Sequence, residues 1–421
     1  FMMFGWPVVT VILFALMPAR RAVLWSMVLG WMFLPEAKYS FPGIPDFTKG
    51  YSIAISALFC TVMFDPGQIM RFRPNWMDLP MLGFLCVPFV SSITNNLGAY
   101  DGLSSMNGQV MTWGVPYFLG RVYYTNQTLL LRELALVIVV AALIYTPLCL
   151  WEMRMSPHLH KTFYGQHAHV FSQTKRFGGY RPTVFMQHGL MVGFFMCAAA
   201  LIATWLWQAK TLRQLWGMPM WMVAVGLLGM AVLCKSIGAI LLMIGGLGVL
   251  AITRLRPTRW VLLALLAVPP IYMTLRANGT LDAELAVRPA EIIVPFQSGS
   301  LGWRLMHEDA LIEHALTRPG FGWAGHGRAH LTNRRGARIS TTDGLWIIML
   351  GKHGLIGMGL FILVLIIPPL MAVWRLPPAT WLTPAAGPVI ALVTVYGLWG
   401  VDNLFNAMIS PMYVLAGGGM V

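Results

Sequence analysis

Thirteen apolar stretches, each bounded by charge, proline or glycine, follow one another along this chain: 4–17, 22–34, 51–64, 77–93, 110–124, 129–151, 184–207, 218–234, 237–253, 260–275, 345–374, 384–400 and 405–421. Of the 421 residues, 57% are hydrophobic and 10% charged, whereas ordinary soluble domains carry about 25% charged residues. A water-soluble core cannot hide that much apolar surface, so the solvent for most of the chain is expected to be lipid. The expected fold class is all-α: a polytopic transmembrane helical bundle of about 12–13 spans, several shorter than the roughly 20 residues of a perpendicular crossing, with a long extracytoplasmic loop containing a short helix. Cys60, Cys86, Cys149, Cys197 and Cys234 lie in or beside apolar runs without a C-x-x-C pair and read as small hydrophobes. The chain opens on Phe1 rather than methionine, so its natural start is expected upstream.

Basic residues set the expected orientation, because short cytoplasmic loops are enriched in Lys and Arg. Arg20 and Arg21, Arg71 and Arg73, Lys210 and Arg213, Arg254 with Arg256 and Arg259, and Arg375 fall on alternate turns between the stretches. That alternation puts them all on one side and leaves two long segments outside, 153–183 and 276–343. The chain then divides into 1–152, N-terminal transmembrane helices; 153–275, central transmembrane helices with a histidine-rich outer loop; 276–343, a large extracytoplasmic loop; and 344–421, C-terminal transmembrane helices. Within the large loop one soluble helix is expected over 303–316, stopped by Arg318-Pro319-Gly320.

The outer segments break the charge rule. They carry Arg154, Lys161, Lys175, Arg176 and Arg181, then Arg276, Arg288, Arg304, Arg318, Arg328, Arg334, Arg335 and Arg338. Guanidinium groups grip phosphate oxygens bidentately, so the set as a whole points to an anionic ligand at the outer surface. Taken one at a time, each arginine is more simply a solvated residue near anionic head groups.

Four motifs carry a family resemblance. Tyr180-Arg181-Pro182-Thr183-Val184-Phe185-Met186-Gln187-His188-Gly189 opens a span; Lys235-Ser236-Ile237-Gly238-Ala239 is a short connection; Ser300-Leu301-Gly302-Trp303-Arg304 opens an outer helix that ends in Pro319-Gly320-Phe321-Gly322-Trp323-Ala324-Gly325; and Thr341-Thr342-Asp343-Gly344-Leu345-Trp346 leads to Gly354-Leu355-Ile356-Gly357. In this order the chain resembles the O-antigen ligase and polymerase superfamily of bacterial membrane glycosyltransferases. Tyr117-Phe118-Leu119-Gly120-Arg121 is similar to a family arginine at a helix end. Ligases typically have His-Asn where this chain has Asp343-Gly344, so the resemblance leans towards a polymerase of exopolysaccharide or O-antigen type.

The resemblance implies transfer of a glycan from an undecaprenyl diphosphate carrier to an acceptor glycan or lipid. It places the reaction on the periplasmic or exterior face of a bacterial cytoplasmic (inner) membrane, with membrane lipids around the protein, without metal, nucleotide or other cofactor, and with no nucleic-acid partner. Arg181 and Arg304 match family arginines and would stabilise charge building on the leaving phosphate; Asp343 would act as general base with inversion at the anomeric carbon. Arg121, His188, Arg318, His326, His330, Trp303 and Trp323 are the expected substrate-binding residues, the tryptophans by stacking on sugar rings, with a histidine as an alternative base.

Each residue also has a plainer role. Asp343 precedes an apolar helix and would serve as its N-cap, Arg304 would pair with Glu308 one helical turn away, Arg181 would snorkel at the membrane edge, and tryptophans near span ends anchor in the interface. Two rival functions stand beside the enzyme. One is a transporter of a sugar or anionic substrate, expected to show charged residues or broken helices near mid-membrane. The other is a metal-binding or sensory protein built on His158, His160, His167 and His169, although no Cys or carboxylate sits among those four and His307 to His314 lacks the i, i+4 zinc spacing.

Overall fold

The computed structural model describes residues 2–41, 43–125, 128–293 and 295–421. It is 72% helical, with three two-stranded antiparallel hairpins among the described residues. Among the described residues seven helices are long and apolar enough to cross a membrane: Trp76–Thr94, Leu131–Met155, Gly189–Gln208, Ile237–Leu255, Trp260–Ala277, Leu345–Arg375 and Gly387–Phe405. Three shorter apolar helices join them, Met2–Leu16, Lys49–Phe64 and Met220–Leu233.

The expectation of about 12–13 spans is therefore reduced by length. Stretch 405–421 becomes a ten-residue helix, Pro411–Met420, and 110–124 is the second half of a mixed segment with a π-helical turn at Val110–Gly114. Hydropathy finds apolar runs but cannot measure how long a helix stays unbroken. The large loop also departs from the sequence reading. It holds two helices, Ala283–Ile293 and Pro295–Leu316, joined by a small core of Ala283, Val287 and Leu305. The second of these starts eight residues before the expected 303, at Pro295, where a missing N–H costs nothing.

Gly189–Gln208 and Gly387–Phe405 are enclosed over nearly their whole length, whereas Ile237–Leu255 and Trp260–Ala277 are a third buried or less. The first pair forms the central pillars. The second turns outward apolar faces that only lipid can cover at no cost.

The basic loops gather at one end of the bundle. The Tyr124 hydroxyl donates to Arg20 O, Arg21 Nη2 pairs with Glu133 at 3.0 Å, Arg132 donates to Thr211 O, Arg254 to Gln208, and Arg259 lies over the Trp374 ring. The helices run from this end to the segments 153–188 and 276–343 at the other.

Candidate functional site

The first wall of the site is the segment between Leu131–Met155 and Gly189–Gln208. A hairpin pairs Lys175–Arg176 with Gly179–Tyr180, turned by Phe177 and Gly178 at positive φ, and delivers Arg181. Glu152, fully buried, then accepts the N–H groups of Thr183 (2.8 Å), Val184 (2.7 Å) and Leu159 (3.1 Å). Phe185 N–H donates to the Tyr145 hydroxyl and Phe185 O accepts from Lys49. These bonds fix an irregular backbone that includes Val184 at positive φ.

On this frame Arg181 is 4% exposed. Its Nη2 donates to Lys235 O at 3.0 Å, while its Nε has no partner among the described residues. A Cβ at position 189 would collide with Arg181 Cδ, so Gly189 is what lets the guanidinium lie against the helix start. The first and second sequence motifs thus meet in space: Lys235 Nζ donates to Arg176 O at 3.3 Å, closing the hairpin onto the short connection. Burial, with Arg176 and Arg304 nearby, pulls the Arg181 guanidinium down to about 10, so it stays charged at neutral pH.

His188 caps the following helix. Its Nδ1 accepts from Leu190 N–H at 3.0 Å, and Nε2 lies 3.2 Å from Gln173 Oε1, which makes Nε2 the protonated nitrogen. Burial, then the charges of His169, Arg181, Arg304 and Arg176, push its pKa down to about 3. Both ring nitrogens are committed, so His188 has no lone pair free to act as base; it frames the site.

The second wall is Pro295–Leu316 against the foot of Leu345–Arg375. Arg304 Nε lies 2.9 Å from Asp343 Oδ2, with both side chains about one-third exposed. The alternatives for these two residues do not occur. Gly344, not Asp343, is the N-cap of Leu345–Arg375, and no side chain caps it. Glu308 is taken by Arg276, at 2.9 Å, and by the Tyr272 hydroxyl, at 3.1 Å; Arg276 also holds Asp309 at 2.6 Å. Arg304, Glu308, Thr341, Asp343, Leu404 and Phe405 line a cleft of only about 10 Å³, about the space of one water. The Arg304–Asp343 contact closes it.

The third and fourth motifs also meet. Leu345–Arg375 breaks at Gly354, φ +66° and ψ −165°, and the turn after Pro295–Leu316 docks into the break. Trp323 N–H donates to Gly351 O and Ala324 N–H to Lys352 O, both at 2.9 Å, and Leu355 N–H donates to Pro319 O at 2.7 Å. A side chain at 354 would overlap Gly320 O.

The remaining expected residues divide. Arg318 and Trp323 belong to the docked turn: Arg318 donates from Nη1 to Asn95 at 2.6 Å and stacks 4.4 Å above Trp323, which also meets His314, parallel at 4.7 Å, and Arg328 at 5.8 Å. His326, largely exposed, meets Asp101 at 2.5 Å. His330 is lowered in pKa by burial, with Arg338 and Lys352 nearby, and its Nδ1 has no partner. Trp303 is 52% exposed beside Arg304 and packs edge-on against His307.

Arg121 is a correction. It lies at the basic end, across the bundle from the others, with Nε 2.7 Å from Asp78 Oδ1 and Nη2 donating to Asp78 Oδ2 and Arg73 O. An arginine at a helix end reads alike whichever end of the bundle it occupies.

In the histidine loop His158 and His167 pack edge-on at 5.3 Å, and His169 packs on His188 at 4.5 Å. His160 accepts from Glu36 N–H and donates to Gln166 O, and among the described residues no three His, Cys, Asp or Glu side chains are grouped as metal ligands. All five cysteines are free, four of them buried. Sequence reasoning missed Glu152, Gly189 and the Arg276–Glu308–Asp309 cluster. For Glu152 the signal was present: a carboxylate just beyond an apolar run is costly unless it has partners. No protein-family model matches the chain, and no curated protein matches it.

Proposed function

We propose that this chain is a membrane glycosyltransferase of O-antigen ligase/polymerase type, acting as a polymerase that moves glycan from an undecaprenyl diphosphate donor to an acceptor sugar hydroxyl. The observation that carries the reading is the Arg304–Asp343 contact at 2.9 Å within electrostatic reach of buried Arg181. Two cations can hold the charge on a leaving diphosphate, and one carboxylate can take the acceptor proton. The donor diphosphate takes the place of Asp343 on Arg304 and extends towards the charge of Arg181. Asp343, released, accepts the acceptor hydroxyl proton. The acceptor oxygen bonds to the anomeric carbon as the bond from that carbon to the phosphate oxygen breaks, and the diphosphate leaves with its negative charge held by both guanidinium groups.

The reading also takes the end that carries these residues as the periplasmic or exterior face of a bacterial inner membrane, because the basic loops at the opposite end follow the positive-inside rule. The shorter helices would complete the multi-pass bundle around the seven long ones.

A transporter is the second reading, and the break at Gly354 favours it, since interrupted helices build transport sites. Against it, the backbone groups freed at that break are taken by the chain's own turn at residues 319–324. The two classes separate in one preparation: purified protein in vesicles, given a carrier-linked repeat unit. Chain extension without solute uptake supports the enzyme; uptake with no extension for any carrier-linked donor removes it.

A further inference from the structure

At the basic end a cavity of about 780 Å³ opens between the loop at Pro18–Arg20, the segment 65–76, the end of Val115–Tyr124 and the last turn of Leu345–Arg375. Five arginines line it, Arg20, Arg71, Arg73, Arg121 and Arg375, against one carboxylate, Asp65. Two of the five have a carboxylate partner: Arg121 pairs with Asp78 at 2.7 Å, and Arg20 shares Glu133, at 3.5 Å, with Arg21. Arg71, Arg73 and Arg375 have no carboxylate partner among the described residues, and all three are exposed to the opening.

Like charges gathered around a concave wall repel one another unless something anionic joins them. The volume is that of a small-ligand site rather than a surface dimple. Trp76, which lines the cavity, is 64% exposed, and Met70 and Leu79, close to it in sequence, are also more than 60% exposed. Exposed tryptophan beside a basic pocket is the arrangement that holds a head group while its chains lie against the protein.

We propose that this cavity binds a phosphate-bearing anion through Arg71, Arg73 and Arg375. It is a second anionic site, at the end of the bundle opposite Arg181 and Arg304, and it does not depend on the glycosyltransferase reading. The shared chemistry is the phosphate group, whether on an anionic phospholipid or free in solution.

Delipidated wild-type protein and the Arg71→Gln/Arg73→Gln/Arg375→Gln variant are compared in two arms: native mass spectrometry with cardiolipin against phosphatidylcholine, and thermal shift with inorganic pyrophosphate. The outer arginines are present in both proteins, so a difference reports this cavity alone. A tenfold or greater weakening in the cardiolipin arm identifies a lipid site, and the same weakening in the pyrophosphate arm a soluble phosphate site. Equal binding by wild type and variant in both arms, or no preference over phosphatidylcholine together with no pyrophosphate shift in wild type, overturns the proposal. If the triple variant does not fold, Arg71→Gln and Arg375→Gln singly, at exposed side chains, give the same readout with a smaller change.

Discussion

Arg304 Nε and Asp343 Oδ2 stand 2.9 Å apart, one on the helix Pro295–Leu316 and the other at the foot of the broken helix Leu345–Arg375. With both side chains about one-third exposed, screening leaves such a pair worth about 0–1 kcal/mol of stability. It contributes little to the fold, and Arg304 is near enough for its charge to act on the buried Arg181. A contact that stabilises little, yet closes the cleft, is one a competing anion can open.

Gly189→Ala should displace Arg181, since the new methyl collides with Arg181 Cδ. Overpacking of this kind costs about 1–3 kcal/mol. The expected result is a lower melting temperature together with weakened donor binding; a variant that binds donor like wild type would mean Arg181 is not needed where it lies.

Glu152→Gln should loosen the segment that carries Arg181 and His188. Three backbone N–H groups lose a charged acceptor, and hydrogen bonds to charged groups contribute about 1.5–3 kcal/mol each. Hydrogen exchange at Thr183 and Val184 should accelerate with little change in Ile237–Leu255; unaltered exchange there would contradict the role given to Glu152.

His188 links stability to pH. Its pKa falls from 6.5 to about 3 on folding, so between those values the unfolded chain binds the extra proton. The stability it contributes is present above about pH 6.5 and is lost as pH falls towards 3. The melting temperature of wild type should drop over pH 6 to 4 more steeply than that of His188→Gln. Parallel curves would show that His188 is protonated at its ordinary value.

Arg121→Ala should act on folding rather than chemistry. Removing it leaves Asp78 buried and unpaired, and breaking a buried pair costs about 3–5 kcal/mol. Yield of folded protein should fall sharply while chain extension per folded molecule is kept; a folded variant with selectively lost turnover would return Arg121 to the site.

The membrane character and helical class were legible in the apolar stretches, and Arg181, His188, Arg304 and Asp343 were legible as motifs. Hydropathy could not show that 405–421 holds only a ten-residue helix, nor that Leu345–Arg375 breaks at Gly354, because a break is set by backbone geometry and the turn that fills it. Arg121 was misplaced because a motif carries no depth coordinate. Glu152 was marked by its place just beyond an apolar run, but which groups it holds was not legible, because its partners are backbone N–H groups.

The central claim is that Arg304 holds a diphosphate while Asp343 takes a proton. It is tested most directly by single-turnover chain extension from a carrier-linked donor, comparing wild type with Asp343→Asn and Arg304→Ala. The account predicts that Asp343→Asn binds donor normally but extends about 10²–10⁴-fold more slowly, whereas Arg304→Ala loses both donor affinity and rate. Wild-type extension by either variant would contradict it.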